Sequence, residues 1–254
     1  MPPISAIIIA HNEAETIARA LSSLACADEL VVVDSGSTDA TRDIAEGLGA
    51  RVILHPWPGY AAQKNYAAGL ARYNWILSLD ADEELDTRAQ ATIQEWKNCG
   101  PRPGVAGYRL RRRARFLGRW IGHAGWHPDY KLRLFDRRQG RWQGDYVHET
   151  LQVSGAVETL PGEILHHTCD SLEEFQERIE RYAELGAREL FDRGERPGAL
   201  LRLLAPPWRF AHSYFWRLGF LDGYPGFLIA RMEARYVRKK LSKLTQLRAA
   251  AGKS

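Results

Sequence analysis

The sequence predicts an α/β fold: a mostly parallel sheet with antiparallel additions, followed by a helical C-terminal region. Three observations predict it. Short apolar runs, Ile4–Ala10, Leu30–Asp34, Arg51–His55 and Trp75–Asp80, alternate with stretches of helical spacing. After Pro101, Pro103 and Gly104 the pattern changes to alternating strands. From Ser171 onward the chain reads as helical. At 254 residues, 45% hydrophobic and 26% charged, the chain has ample material for one large domain with an appendage.

The elements follow in order. Ile4–Ala10 is a buried strand, and Ile17, Leu21 and Leu24 give Glu13–Leu24 a helical face. Leu30–Asp34 is the second strand, with a turn over Ser35–Asp39; Ser37 or Thr38 is placed to cap a helix reaching Leu48. A third strand, a Pro/Gly loop and a helix over Tyr60–Arg72 lead to the fourth strand. That strand stops abruptly at Asp80, Asp82, Glu83 and Glu84, with a helix expected over Leu85–Lys97. In the second half, Val105–Phe116, Lys131–Phe135, Val147–Glu149 and Glu163–His166 read as strands. Phe175, Ile179, Tyr182, Leu185 and Leu190 line one helix face. Pro197, Pro206 and Pro207 break the pattern, and helices are expected near Trp208–Leu221 and Phe227–Leu247.

Three strand ends carry polar loops: Ala10-His-Asn-Glu13, Asp34-Ser-Gly-Ser-Thr-Asp39 and Asp80-Ala-Asp-Glu83. In a parallel sheet all three lie on one edge, where ligands of open α/β sheets bind. Acids packed this closely repel unless a cation joins them, and Mg²⁺ takes carboxylate and phosphate oxygens together. The fingerprints GxGxxG and GxxxxGK[ST] are absent. The same acids also suit the first turn of a following helix.

The strand ending in Ala-His-Asn-Glu, then Val-Val-Asp-Ser-Gly-Ser-Thr-Asp, Gln63-Lys64-Asn65 and Leu-Asp-Ala-Asp-Glu together resemble family 2 glycosyltransferases. The likeness is strong over the first hundred or so residues and looser beyond. It implies the Rossmann-like GT-A fold, a nucleotide-sugar donor, usually a UDP-sugar, and a divalent cation, Mg²⁺ or Mn²⁺. It further implies that Ala10, Asn12, Glu13, Asp34, Ser35 and Gly36 hold the nucleoside. Lys64 would lie near the nucleotide, and Asp82 would ligate the metal directly. Asp80 would contact ribose or metal-bound water, with Ala81 between them in the cofactor loop. Leu132–Phe135, Val147-His148-Glu149, Ile164–His166 and Phe215–Gly226 are similar to the lipopolysaccharide-core β-1,4-glucosyltransferase branch. That likeness points to Glu149 as the base of an inverting transfer, with Asp145 as the next candidate. It also points to His166 as a further metal ligand, with His167 as its rival.

The remaining features concern the acceptor and location. Arg109, Arg111, Arg112, Arg113 and Arg115 form a basic strand that reads either as a solvated face or as a contact for acceptor phosphates, and Trp120, Trp126 and His127 are placed to stack on sugars. Net charge is +4, but eight Lys/Arg against the single acid Glu233 lie from Arg231 to the end. Cys26, Cys99 and Cys169 show no CxxC spacing and leave an odd thiol, which suits a reducing cytoplasm. No secretory leader and no apolar run near 20 residues is visible. Ile229, Met232, Tyr236, Leu241, Leu244 and Leu247 share a helix face against basic neighbours, the pattern of a helix lying on anionic lipid or packing on the protein.

The expected organisation is a transferase domain over residues 1–168 and a helical region over 169–254. The expected partners are a UDP-sugar donor, a lipid-linked saccharide and an anionic membrane surface, with no nucleic acid. Two other functions fit parts of the pattern: a nucleotidyltransferase acting on a sugar phosphate, and a non-catalytic saccharide-binding module. The first lacks its glycine-rich loop after the first strand, and Asp80, Asp82 and Glu149 argue against the second.

Overall fold

The computed structural model describes residues 1–144, 149–169 and 171–251. Its sheet begins with β1 (Ile4–Ala10), α1 (Ile17–Ser23), β2 (Glu29–Asp34), α2 (Thr41–Gly47), β3 (Arg51–Leu54), α3 (Tyr60–Leu70) and β4 (Trp75–Asp80). β5 (Glu83–Leu85) and α4 (Thr87–Cys99) follow. The antiparallel part comprises β6 (Val105–Phe116), β7 (Arg119–Trp120), β8 (Asp129–Asp136), β9 (Gly140–Gln143), β10 (Thr150–Val153) and β11 (Ala156–Cys169). The strand order is β3-β2-β1-β4-β8-β6-β11-β5, with β7 beside β6 and β9–β10 as a separate hairpin. β1 pairs in parallel with β2 and β4, and β2 with β3. β8 joins β4 antiparallel. The fold is therefore the mixed, mostly parallel α/β class expected.

Cα proximity divides the chain into two compact units: Met1–Arg113 with Asp129–His167, and Ala114–Pro128 with Thr168–Ser254. In the first, Ile4, Ile8, Val32, Leu77 and Leu79 pack on one sheet face against Ile17, Leu21 and Ile93 of the helices. Ile7, Val31, Val33 and Ile76 pack on the other against Ala67 and Ala68 of α3. Both faces of the central strands are covered, which is why they read as unbroken apolar runs.

Several boundaries differ from the sequence reading. Ser37 and Thr38 do not cap α2, whose N-cap is Ala40; their hydroxyl and amide groups knit the strand-end loops instead. The acidic run does not lead straight into a helix: Glu83–Leu85 pairs antiparallel with Ile164–His166, and Asp86 caps α4 by accepting from the Ala89 amide. Gly162 of β11 has φ +102°, and a Cβ there would sit 2.4 Å from the Ala89 nitrogen, so only glycine lets β11 pass the start of α4.

In the second unit, α5 (Leu172–Asp192), α6 (Ala199–Ala211), a π-helical turn (His212–Trp216), a 3-10 turn (Gly219–Asp222) and α7 (Gly223–Ala251) follow one another. Pro206 and Pro207 lie inside α6 rather than ending it; their fixed φ is itself helical, so the local loss is two amide donors. The apolar face of α7 packs on the protein. Ile229, Met232, Leu241 and Leu244 are buried, Ile229 and Met232 cluster with Phe175 and Ile179 of α5, and Lys243 pairs with Glu184 at 2.8 Å. Lys239 pairs with Glu180. The α7 face is thus not available to lipid. Trp126 likewise packs against Phe116 and Phe175 rather than standing open for a sugar. Among the described residues no helix is long and apolar enough to cross a membrane.

Candidate functional site

Register fixes the site. Ala10 pairs with Asp34 and Ile9 with Asp80, so the three polar loops leave the sheet side by side. The first two loops are laced together. The Asn12 amide, at φ +56°, donates to Ser37 Oγ at 2.8 Å, and Asn12 Oδ1 accepts from the Thr38 amide at 2.8 Å. The Glu13 amide donates to Thr41 Oγ1 at 2.8 Å, and the Ser35 amide to the Ala10 carbonyl at 2.9 Å. Gly36, at φ +92°, and Ser37 both donate amides to Asp34 Oδ1, and Ser37 Oγ donates to Asp34 Oδ2.

Asp34 is fully buried. Its carboxylate builds the turn through the Gly36 and Ser37 amides and the Ser37 hydroxyl. The loop that it shapes, with Ser35 and Gly36, presents the edge. Ser35 Oγ accepts from Gln63 Nε2 at 3.0 Å, and Gln63 Oε1 lies 2.7 Å from His55 Nδ1. Gln63 is also fully buried, so it bolts α3 to the second loop.

Lys64 is 2% exposed rather than solvated. Its Nζ lies 2.8 Å from Asp80 Oδ1 and 3.0 Å from Glu149 Oε1, and 4.5 Å from the centre of the Trp142 ring. Asn65 holds the same hairpin, exchanging hydrogen bonds with the Trp142 backbone at 2.8 and 2.9 Å. The lysine thus ties the acidic loop after β4 to the residue expected to be the base. Residues 145–148, including the alternative Asp145 and the Val147–His148 stretch, lie outside the described residues.

Asp80 faces two cations. Arg133 Nη2, on β8, lies 2.8 Å from Asp80 Oδ2 and 2.6 Å from Glu83 Oε2. Burial pushes the Asp80 carboxyl up, but the charges of Arg133 and Lys64, and their hydrogen bonds, outweigh it and hold it well below the usual carboxylate range. Arg133 is raised above its ordinary value, since Asp80 and Glu83 outweigh its own burial. Glu83, fully shielded at its side chain, also has Arg112 at 3.3 Å. Three arginines of the basic strand are engaged: Arg112 with Asp129 at 2.7 Å, Arg111 with Glu163, and Arg109 Nε with Thr159 Oγ1 at 2.7 Å.

Asp82, in the turn before β5, meets β11. His166 Nε2 lies 3.0 Å from Asp82 Oδ2, and the His167 amide donates to the Asp82 carbonyl at 3.0 Å. His167 Nε2 goes instead to Glu84 Oε1 at 2.8 Å. Of the two histidines, His166 is the one beside Asp82. A carboxylate oxygen and an imidazole nitrogen converging on one point are a donor set that Mn²⁺ accepts, and a nucleotide-binding divalent ion draws its other ligands from phosphate and water. Among the described residues no cluster of three or more His, Cys, Asp or Glu side chains that could hold a metal forms.

Sequence reasoning gave no individual role to Arg133, Trp142 or Gln63. Arg133 left one signal: in Lys131-Leu-Arg-Leu-Phe135 it shares a strand face with the buried Phe135, which a solvated arginine would not.

The three register-aligned loops lie on the sheet edge where open α/β folds take their ligands. The model of glycosyl transferase family 2 matches residues 5–150, and the chain belongs to that family. It is 31% identical to an uncharacterized glycosyltransferase of Rickettsia bellii, over 96% of this chain and 86% of that one. It is also 31% identical to the lipopolysaccharide core biosynthesis glycosyltransferase LpsC of Rhizobium meliloti, over 96% and 92%. Among solved structures, the glucosyl-3-phosphoglycerate synthase of Mycobacterium tuberculosis in complex with phosphoglyceric acid is 18% identical, with a TM-score of 0.49 over 78% of this chain and 82% of that one.

Proposed function

We propose that this glycosyltransferase is an inverting, metal-dependent hexosyltransferase that moves glucose from UDP-glucose to a lipid-linked saccharide such as lipopolysaccharide inner core, at the cytoplasmic face of a membrane. The observation that carries the chemistry is the convergence of the register-aligned β1, β2 and β4 loops with the Asp82–His166 pair and the Asp80–Lys64–Glu149 chain. The acceptor class is supported by similarity over nearly the whole chain to a lipopolysaccharide core enzyme.

In this reading the Ala10–Glu13 and Ser35–Gly36 loops seat the uridine, with Asp34 as their buried brace. Asp82 and His166 hold Mg²⁺ or Mn²⁺, which when bound neutralises charge on the departing diphosphate. Asp80, flanked by Ala81, orients ribose or a metal-bound water. Lys64 reaches from Asp80 to Glu149 and steadies both. Glu149 takes the proton from the acceptor hydroxyl as that oxygen attacks the anomeric carbon and the bond to UDP breaks, which inverts the centre.

The test is thermal stabilisation by UDP-, GDP-, ADP- and dTDP-glucose with and without Mn²⁺, on the wild type and Asp82→Ala. UDP-glucose with Mn²⁺ should stabilise the wild type and release UDP, and the variant should fold but do neither. Near wild-type UDP release by Asp82→Ala refutes the metal assignment.

A further inference from the structure

Helix α6 is built the wrong way round for water. Leu200, Leu204 and Trp208 recur every four residues along one line, flanked by Leu201 and Leu203. All five are exposed, Leu203 and Leu200 at 71% and 69%. Arg202 and Arg209 lie about half a turn round the helix, and they face the protein. Arg202 Nη1 donates to Thr245 Oγ1 at 3.1 Å, and Arg209 Nε lies 3.0 Å from Glu233 Oε2, both partners on α7. No residue of α6 is buried. A surface helix of a water-soluble protein normally does the reverse, with its apolar stripe inward.

The following turns continue the pattern. Phe215, Trp216, Leu218, Phe220, Leu221 and Tyr224 are all exposed, Trp216 at 79%. Single exposed apolar side chains are ordinary, but eleven within the 25 residues from Leu200 to Tyr224 make a patch that marks an interaction surface. Between Glu195 and Asp222 there is no carboxylate, while Arg196, Arg202, Arg209 and Arg217 each add a positive charge. Arg196 and Arg217 are exposed.

We propose, on the reading above that the acceptor is lipid-linked, that α6 and the turns to Tyr224 form an in-plane docking surface for an anionic bilayer. At thirteen residues α6 is about 20 Å long, too short to span and suited to lie in the interface. Its leucines enter the headgroup–acyl boundary, the tryptophans and Tyr224 sit where such rings partition, and Arg196 and Arg217 meet lipid phosphate. A second copy of the chain would bring the same positive charge to this face, whereas anionic lipid complements it.

The experiment is co-sedimentation of the full chain with phosphatidylglycerol/phosphatidylcholine vesicles at low and high salt, and with phosphatidylcholine alone. The wild type and a control, Leu48→Glu, should bind the anionic vesicles, less so in high salt and on neutral lipid. The double variant Leu200→Glu/Leu204→Glu should bind at least tenfold more weakly, and Trp216→Ala several-fold more weakly. Both sets of positions are solvent-exposed, so the core is untouched. UDP release from UDP-glucose and Mn²⁺, read on the same preparations, should stay unchanged, which separates failure of docking from failure of the transferase reading. The proposal is overturned if the wild type stays in the supernatant, or if the leucine variant sediments like the wild type. It is equally overturned if sedimentation velocity shows a dimer that this variant splits.

Discussion

Replacing Arg133 by Met tests the electrostatic frame of the site. Arg133 is 3% exposed, and its guanidinium serves Asp80 and Glu83 together, at 2.8 and 2.6 Å. Methionine roughly fills the side chain's stem but removes the charge. Glu83, with a wholly buried side chain, keeps Arg112 at 3.3 Å and the Asp80 amide at 3.2 Å. Leaving a buried charge short of its partner costs about 3–5 kcal/mol. At 1.36 kcal/mol per factor of ten, that is roughly a 10²- to 10³-fold or larger rise in the opening of the central sheet. The assay is amide hydrogen exchange of β4, where Ile76, Leu77, Ser78 and Leu79 are all buried and report the opening of the first unit. Because the cost comes from an uncompensated carboxylate, adding Glu83→Gln to Arg133→Met should slow exchange again by at least tenfold. Glu83→Gln alone should speed it, since it weakens the hold on Arg133. If Arg133→Met changes β4 exchange by less than tenfold, or if the two substitutions simply add, the frame is not what holds Asp80 and Glu83.

Glu149→Gln should keep UDP-glucose affinity and lose transfer by ~10²-fold or more; weaker UDP binding with unchanged turnover would move Glu149 to the donor side. The Asp80 carboxyl, held low in the folded state, contributes stability above about pH 4, its unfolded value, and loses it as pH falls through the folded one. Lys64→Met removes one of its two cations, so the acid-unfolding midpoint, followed by circular dichroism, should move up; an unmoved midpoint contradicts the pairing. Gly162→Ala forces a strained φ of +102° and a 2.4 Å approach to Ala89, and should destabilise by at least about 1–3 kcal/mol in urea unfolding. A variant as stable as the wild type would mean that β11 shifts freely.

The parallel half of the fold was legible because burial on both faces leaves a plain mark: Ile4–Ala10 and Trp75–Leu79 are apolar almost throughout and end at polar residues. The shared edge of the three loops followed from parallel pairing alone. What sequence could not give was the return of β11 to Glu83, some eighty residues later, which turns part of an apparently exposed acidic loop into a buried strand. Arg133 was hidden for a related reason, because an arginine in an alternating strand ordinarily faces water. The burial of Asp34 was not legible because it depends on amides of Gly36 and Ser37 folding back on it. For α7, an apolar stripe beside lysines is equally consistent with lipid and with another helix. The discriminating mark was on α5, where Glu180 and Glu184 repeat the four-residue spacing of Lys239 and Lys243.

The fate of the four acids after β4 shows how one short run serves structure and chemistry together. Glu83 is spent on Arg133 and Arg112 and anchors the sheet. Glu84 is given to His167. Asp80 is shared between Arg133 and Lys64, so it is ionised in place, and Lys64 passes the link on to Glu149. Asp82 meets an imidazole, a partner that can join a carboxylate on a metal rather than displace the metal as an arginine would. The permanent cations therefore stand at Asp80 and Glu83, and the proposed function puts the exchangeable one at Asp82. That order yields a pairwise expectation: His166→Gln should weaken Mn²⁺-dependent binding of UDP-glucose by roughly tenfold or more, while His167→Gln should leave it near wild type. Equal losses from the two would mean that the histidines support β11 and not the metal.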